Sequence, residues 1–321
     1  MTNKEVYQKT IGFSIRRLLW DLLSLVALCG AIALGAVIDQ EGVAGVLIGF
    51  LIGVVIMVII LRFVSYTYKA GQIAMMTKAV TEDSLPEDVI GEGKRVVKER
   101  FATVALYYAA TRIIRGIFNQ IGRGITKIGE SIGGDTGSSI GSAISSIISV
   151  VVAYLCDCCL GWIFYRRDEQ PVKATLQGAA LFFKHGKTFL KNMGRVFGLG
   201  LVSLVTIGGV STGVCYLILS RFPAAFNTMA AELKTSLNPE EMAPWLYSAL
   251  TNGSSLILVA AVIAALLVWN FLHSNFVRPF VLVGVLRNYM QAGIENMPTE
   301  ASYAAVAKVS PKFAKEMAKA A

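Results

Sequence analysis

Four apolar runs, residues 18–38, 43–61, 196–219 and 254–276, are each long enough to cross a ~30 Å hydrocarbon core at ~1.5 Å of helix rise per residue. A fifth run, 140–165, has the same length and carries one carboxylate, Asp157. The chain is 55% hydrophobic and only 16% charged over 321 residues, a balance suited to lipid rather than water as the solvent. These features predict an all-α integral membrane protein, a polytopic, multi-pass helical bundle.

The side of the membrane occupied by each connection follows from Lys and Arg, which accumulate in short cytoplasmic segments. Lys4, Lys9, Arg16 and Arg17 place the N-terminal arm inside, and the turn at 39–42, without a basic residue, reads as external. Residues 67–100 then return to the cytosol with Lys69, Lys78, Lys94, Arg95, Lys98 and Arg100. If only 140–165 crossed next, the basic segment 166–195 would lie outside. A further crossing at 101–121 restores the rule. The expectation is therefore about six transmembrane helices (18–38, 43–61, 101–121, 140–165, 196–219 and 254–276). Both termini are then cytoplasmic, 220–253 forms an extracellular loop and 277–321 a cytoplasmic tail. Segments 67–100 and 166–195 read as amphipathic connections, the first with a capping box at Ser84 and Glu87, the second as a basic helix lying on the membrane surface. The net charge of +9 then reflects topology and attraction to anionic inner-leaflet lipids, not nucleic acid.

A span at 101–121 buries two arginines. On an ideal helix Tyr108, Arg112, Arg115 and Asn119 share one face. Counting from the cytoplasmic ends puts Arg112 and Asp157 at the same depth, which makes Asp157 the expected partner of Arg112. Three readings stay open: a neutralised pair locking two helices, a solvated path for a polar or charged solute, and an interfacial helix with both arginines at headgroups. Tyr107, Tyr154, Trp162 and Trp269 supply rings that could line a path for a cation or serve as core and belt residues.

Gly45, Gly49 and Gly53 recur every four residues, the pattern that lets a helix approach another closely, with a second copy of the chain as one candidate partner. Gly137/Gly141 and Gly209/Gly213 repeat that spacing, and 133–149 alternates Gly and Ser. Five cysteines, all inside expected spans, argue against a disulfide framework. Cys156 and Cys159 share a helical face, but neither His185 nor His273 has the paired spacing of a zinc site, so no metal and no cofactor is expected. No phosphate-binding loop, dinucleotide fingerprint or nucleophile–base arrangement is present, which argues against an enzyme.

Three strings carry a family resemblance. They are Arg100-Phe101-Ala102-Thr103-Val104-Ala105 continuing to Thr111-Arg112-Ile113-Ile114-Arg115, then Cys158-Cys159 with Trp162, then Lys187-Thr188-Phe189-Leu190-Lys191-Asn192-Met193-Gly194-Arg195-Val196. Their order over 96–219 resembles the choline transporter-like family, which implies a multi-pass protein of the cell membrane associated with choline or related solutes. The chain departs from that pattern in having only 39–42 after its first span, and Arg278 where an acidic segment is expected. The leading expectation is a transporter or facilitative permease for a small polar solute, with Arg112, Arg115, Asp157, Tyr108 and Asn119 on the path. The alternative is a non-transporting scaffold or accessory subunit that recruits partners at the inner leaflet.

Overall fold

A computed structural model describes the backbone of residues 1–38, 43–101, 104–133 and 137–320. It also describes their side chains, except those of 43, 62, 104–105, 121–133, 137–148, 183–195 and 241. The chain is 90% helical, with no strand among the described residues. The helices are α1 (Asn3–Ile38), α2 (Val43–Ile60), α3 (Tyr66–Glu82), α4 (Val89–Arg100), α5 (Val104–Gly133), α6 (Gly137–Tyr165), α7 (Pro171–Ser203), α8 (Gly209–Leu219), α9 (Pro223–Ser236), α10 (Pro244–Thr251), α11 (Gly253–Leu272), α12 (Arg278–Glu295), α13 (Glu300–Val309) and α14 (Pro311–Ala320). Short π-helical segments, Leu61–Ser65, Leu204–Gly208 and His273–Val277, interrupt three of the long helices. Met1–Gly194 with Pro279–Ala321 forms one compact unit, and Arg195–Arg278 a second.

Four continuous helices are long and apolar enough to cross a membrane: Asn3–Ile38, Ala44–Glu82, Val196–Leu219 and Gly253–Glu295. Between 11% and 22% of each apolar window is buried in the protein, so these surfaces need lipid to cover them. Four of the six expected spans are thus recovered. α5 is not among them, and the apolar part of α6, Ser149–Tyr165, is shorter.

Three of the four helices outrun the bilayer. At 39 residues, Ala44–Glu82 is ~58 Å long, about twice a hydrocarbon core. Its burial changes along its length accordingly. Leu47, Ile48, Leu51, Val55, Ile59 and Phe63 are exposed, whereas Tyr68, Ala70, Ile73, Met75, Met76 and Ala79 are buried. The first stretch is dressed for lipid and the second packs against protein, as does the first half of α1 through Val6, Phe13 and Ser14.

Within the first unit, α1 and α2 form a hairpin whose closeness depends on glycine. A Cβ on Gly35 would overlap the Gly45 carbonyl, one on Gly49 would overlap that of Ala31, and one on Gly53 would lie 3.0 Å from Leu28 Cα. The Gly45/Gly49/Gly53 face is therefore filled by the chain's own first helix. The close packing foreseen for these glycines is thus made within the chain. Among the described residues Gly209 and Gly213 meet nothing within 4 Å. The turn at 39–42, and the side chains around Gly137/Gly141 and on 183–195, lie outside the described residues.

α6 is the axis of the packed part of this unit. Every residue from Val151 to Phe164 except Ala153 is buried. Trp162 stands against Gly293, where a Cβ would come within 2.8 Å of the ring, and donates from Nε1 to Gln177 Oε1 (3.3 Å). Tyr289, fully buried on α12, donates its hydroxyl to the Gly178 carbonyl (2.6 Å). Phe13 fills a socket floored by Gly71 and Gly93. Beside it the buried Gln72 amide is satisfied by the Thr10 carbonyl (3.2 Å) and Ser14 Oγ (2.9 Å). Each large apolar side chain so enclosed contributes roughly 1.5–3 kcal/mol.

Two local expectations shift. The helix foreseen from Ser84 begins at Val89, because Asp88 accepts from the Gly91 amide (2.8 Å) and so acts as its N-cap. Residues 278–295, expected as part of the cytoplasmic tail, continue the long helix that starts at Gly253, and α12 packs against α6. Gly49→Leu is expected to separate α1 from α2 and to lower the thermal midpoint in detergent, at a cost of about 1–3 kcal/mol. Gly213→Leu, which meets open space, should leave that midpoint unchanged.

Candidate functional site

The polar centre of the first unit is built on helices α1, α3 and α6. Asp157 on α6 is 4% exposed, and Lys69 Nζ on α3 lies 2.7 Å from its Oδ1. One turn earlier, Ser65 at the end of the π segment donates to Asp21 Oδ1 (3.0 Å), and Arg17 Nε stands 3.9 Å from Asp21 Oδ2. Asp21 is 6% exposed, and its carbonyl accepts from Ser24 Oγ (2.7 Å). Two carboxylates and two cations thus form a charge-balanced set inside the helix packing.

Spacing explains its assembly. Arg17 and Asp21 are four residues apart on α1, and Ser65 and Lys69 four apart along the second long helix, so each pair presents one face. Tyr107 of α5 closes the wall, with ring centroids 4.9 Å from Tyr66, 5.3 Å from Tyr108 and 5.5 Å from Phe101. The charges of Asp157, Arg17 and Arg115 all act on its phenol.

The expected Arg112–Asp157 pair is not formed. Lys69 occupies the carboxylate, and Arg112, Arg115 and Asn119 lie on the exposed face of α5. Tyr108 is half-buried at the edge of that face. The opposite face, Tyr107, Ala110, Ile114, Ile117 and Phe118, is buried. The shared face foreseen for Tyr108, Arg112, Arg115 and Asn119 exists, but it points away from the protein's interior. The far end of this helix is tied to the C-terminal segment. Gln120 Oε1 accepts from Ser310 Oγ (2.6 Å) and from the Lys312 amide (3.1 Å), and Lys312 Nζ donates to the Arg112 carbonyl (2.8 Å). Residue 120 and residues 310–312 are therefore on the same side of any membrane.

Of the expected aromatic lining, Tyr107, Tyr154 and Trp162 are core residues at 5%, 3% and 0% exposure. Cys158 and Cys159 are equally enclosed, with Cys159 Sγ 3.5 Å from the Thr175 carbonyl. Among the described residues no three His, Cys, Asp or Glu side chains converge as metal ligands.

Trp269 belongs to a different cluster, in the second unit. Its Nε1 donates to Ser203 Oγ (3.2 Å), which lies 3.0 Å from His273 Nδ1 and donates to the Gly200 carbonyl (2.8 Å). Ser203 Oγ and His273 Nδ1 share one hydrogen bond, whose direction follows the tautomer of the ring. Both helices depart from α geometry here, since Leu204–Gly208 follows Ser203 and His273–Val277 begins at the histidine. Isolated π turns of this kind recur at functional positions.

Sequence reasoning passed over Lys69, Asp21, Ser65, Ser203 and His273. Asp21 had a legible signal, a carboxylate inside an apolar run with Arg17 one turn before it. Lys69 did not, because nothing local distinguishes it from other basic residues of its segment.

No protein-family model, no curated protein and no solved structure matches this chain. Among the residues that carry the choline transporter-like resemblance, Arg100 lies on α4, Thr111–Arg115 on α5, Cys158, Cys159 and Trp162 on α6, and 187–196 on α7.

Breaking the central pair on one side should be costly. Asp157→Asn leaves the Lys69 ammonium without its carboxylate and is expected to lose about 3 kcal/mol, read as a fall in detergent melting temperature and yield. The Lys69→Met, Asp157→Leu double variant should recover most of that loss, whereas Arg112→Gln should change stability by less than about 0.5 kcal/mol.

Proposed function

We propose that the chain is a four-crossing protein of the cell membrane that acts as a scaffold or accessory subunit, with the first unit's helical bundle standing at the inner leaflet. The observation that carries this reading is the bonding of Gln120 to Ser310 and Lys312, which keeps α5 on the side of the C-terminal segment. With crossings only at 18–38, 43–61, 196–219 and 254–276, every Lys and Arg except Arg221 and Lys234 falls on the cytoplasmic side. The charge rule is then satisfied without a crossing at 101–121 or 140–165, and Arg123 and Lys127, external in the six-crossing arrangement, also come inside.

In this arrangement α5 is an interfacial amphipathic helix. Its apolar face packs on the protein, and Arg112 and Arg115 face outward to anionic phospholipid headgroups, each contributing about 1 kcal/mol of attraction. The Lys69–Asp157 and Arg17–Asp21 pairs neutralise each other within the bundle and serve to lock it.

Passage of a small solute is the second reading, favoured by one observation. Ser203, Trp269 and His273 place hydrogen-bonding groups between two π-distorted helices in a unit otherwise dressed in apolar side chains. Dissipation of a pH gradient across proteoliposomes, abolished by His273→Ala, would move the balance to transport.

Sidedness is the direct test of the first reading. In a cysteine-free background, cysteines at Arg112, Asn119 and Lys308 are expected to react with an impermeant maleimide only from the cytoplasmic face of sealed vesicles. A cysteine at Thr235 should react only from the other. Labelling of position 119 from outside would re-establish a crossing there and reject the inner-leaflet scaffold.

A further inference from the structure

Where α4 ends and α6 turns into α7, two arginines line one small cavity. Its walls are Val96, Glu99, Arg100, Phe164 and Arg167, and its volume is about 200 Å³. At ~30 Å³ per water it holds the equivalent of about seven waters, room for a phosphate group and the first atoms of its ester.

The charges around this cavity are distributed unevenly. Glu99 is taken by Arg95, which also holds Glu92 through Nη2 (2.6 Å). Asp168 and Glu169 are both taken by Arg166, at 2.7 and 3.4 Å. Among the described residues, Arg100 and Arg167 form no ion pair. Each is held by a carbonyl: Arg100 Nη2 donates to Arg166 O (2.8 Å), and Arg167 Nε donates to Phe164 O (3.3 Å). Arg100 Nε is buried without a hydrogen-bond partner. Burial holds the Arg100 guanidinium below the usual arginine range, and the charge of Arg167 acts in the same direction, opposed by Asp168 and Glu169.

Two like charges facing one cavity repel each other, and a buried N–H without an acceptor costs roughly 1–3 kcal/mol. An anion between them relieves the repulsion. Guanidinium groups match phosphate in particular, because their planar fork donates paired N–H bonds to two oxygens at once. We propose that Arg100 and Arg167 form a phosphate-binding site, taking either a free phosphate or phosphomonoester or the phosphomonoester headgroup of a lipid. Phe164 and Val96 provide the apolar wall against which the ester carbons rest. The proposal does not depend on the number of membrane crossings.

The test uses the full chain in phosphatidylcholine nanodiscs. Inorganic phosphate and glycerol 3-phosphate are titrated calorimetrically in one arm, and phosphatidic acid is incorporated into the discs and counted by native mass spectrometry in the other. Saturable binding in the first arm identifies a soluble ligand, and binding confined to the second identifies a lipid. In the arm that binds, Arg167→Gln is expected to weaken affinity at least tenfold. Arg167 is exposed, so the variant should fold. Lys98→Gln removes the same charge from α4 outside the cavity and should leave affinity within twofold. Glu99→Gln, which removes the one carboxylate in the wall, should tighten it. No saturable binding in either arm, or equal weakening by Lys98→Gln and Arg167→Gln, overturns the proposal.

Discussion

A helix longer than the bilayer is thick must satisfy two solvents in succession, and the architecture of this protein follows from that requirement. The helix Ala44–Glu82 passes from an exposed apolar surface ending near Phe63 to a buried one beginning at Tyr68. The transition is marked by the π segment Leu61–Ser65, the hydroxyl that bonds Asp21, and the ammonium that meets Asp157. Polar groups cluster at this level because lipid cannot satisfy them, while helices converging from three directions can.

The same constraint explains why α6 was ambiguous. A helix apolar on every side is either surrounded by lipid or enclosed by protein, and hydropathy scores the two alike. Trp162, Leu160, Cys159 and Leu155 are as apolar as a span requires, yet they are enclosed by side chains from α3, α7 and α12. A crossing at 140–165 calls for another at 101–121 to keep the basic segment 166–195 inside, and that second crossing would bury two arginines. In the structure α5 has one buried apolar face and one exposed basic face.

Glycine and charge illustrate the division between local and distant information. The four-residue spacing of Gly45, Gly49 and Gly53 correctly announces close helix packing, because only a missing Cβ permits backbones to touch. The identity of the partner is set by the docking of α1 against that face. In the same way a lone Asp157 in an apolar segment announces an ion pair, but either of two nearby cations could supply it. Lys69 does so because α3 packs directly on α6.

The sequence alone determined that the chain is helical and that four segments are dressed for lipid, since these follow from composition and run length. It also marked Asp157 as a buried carboxylate and α5 as a helix with one polar face. Only the tertiary structure decided that Lys69 and not Arg112 meets that carboxylate, that the polar face of α5 looks outward, that Gln120 bonds to Ser310, and that Arg100 and Arg167 share a cavity. Each of those joins residues far apart in the chain, and such contacts depend on how helices dock, which no local periodicity encodes.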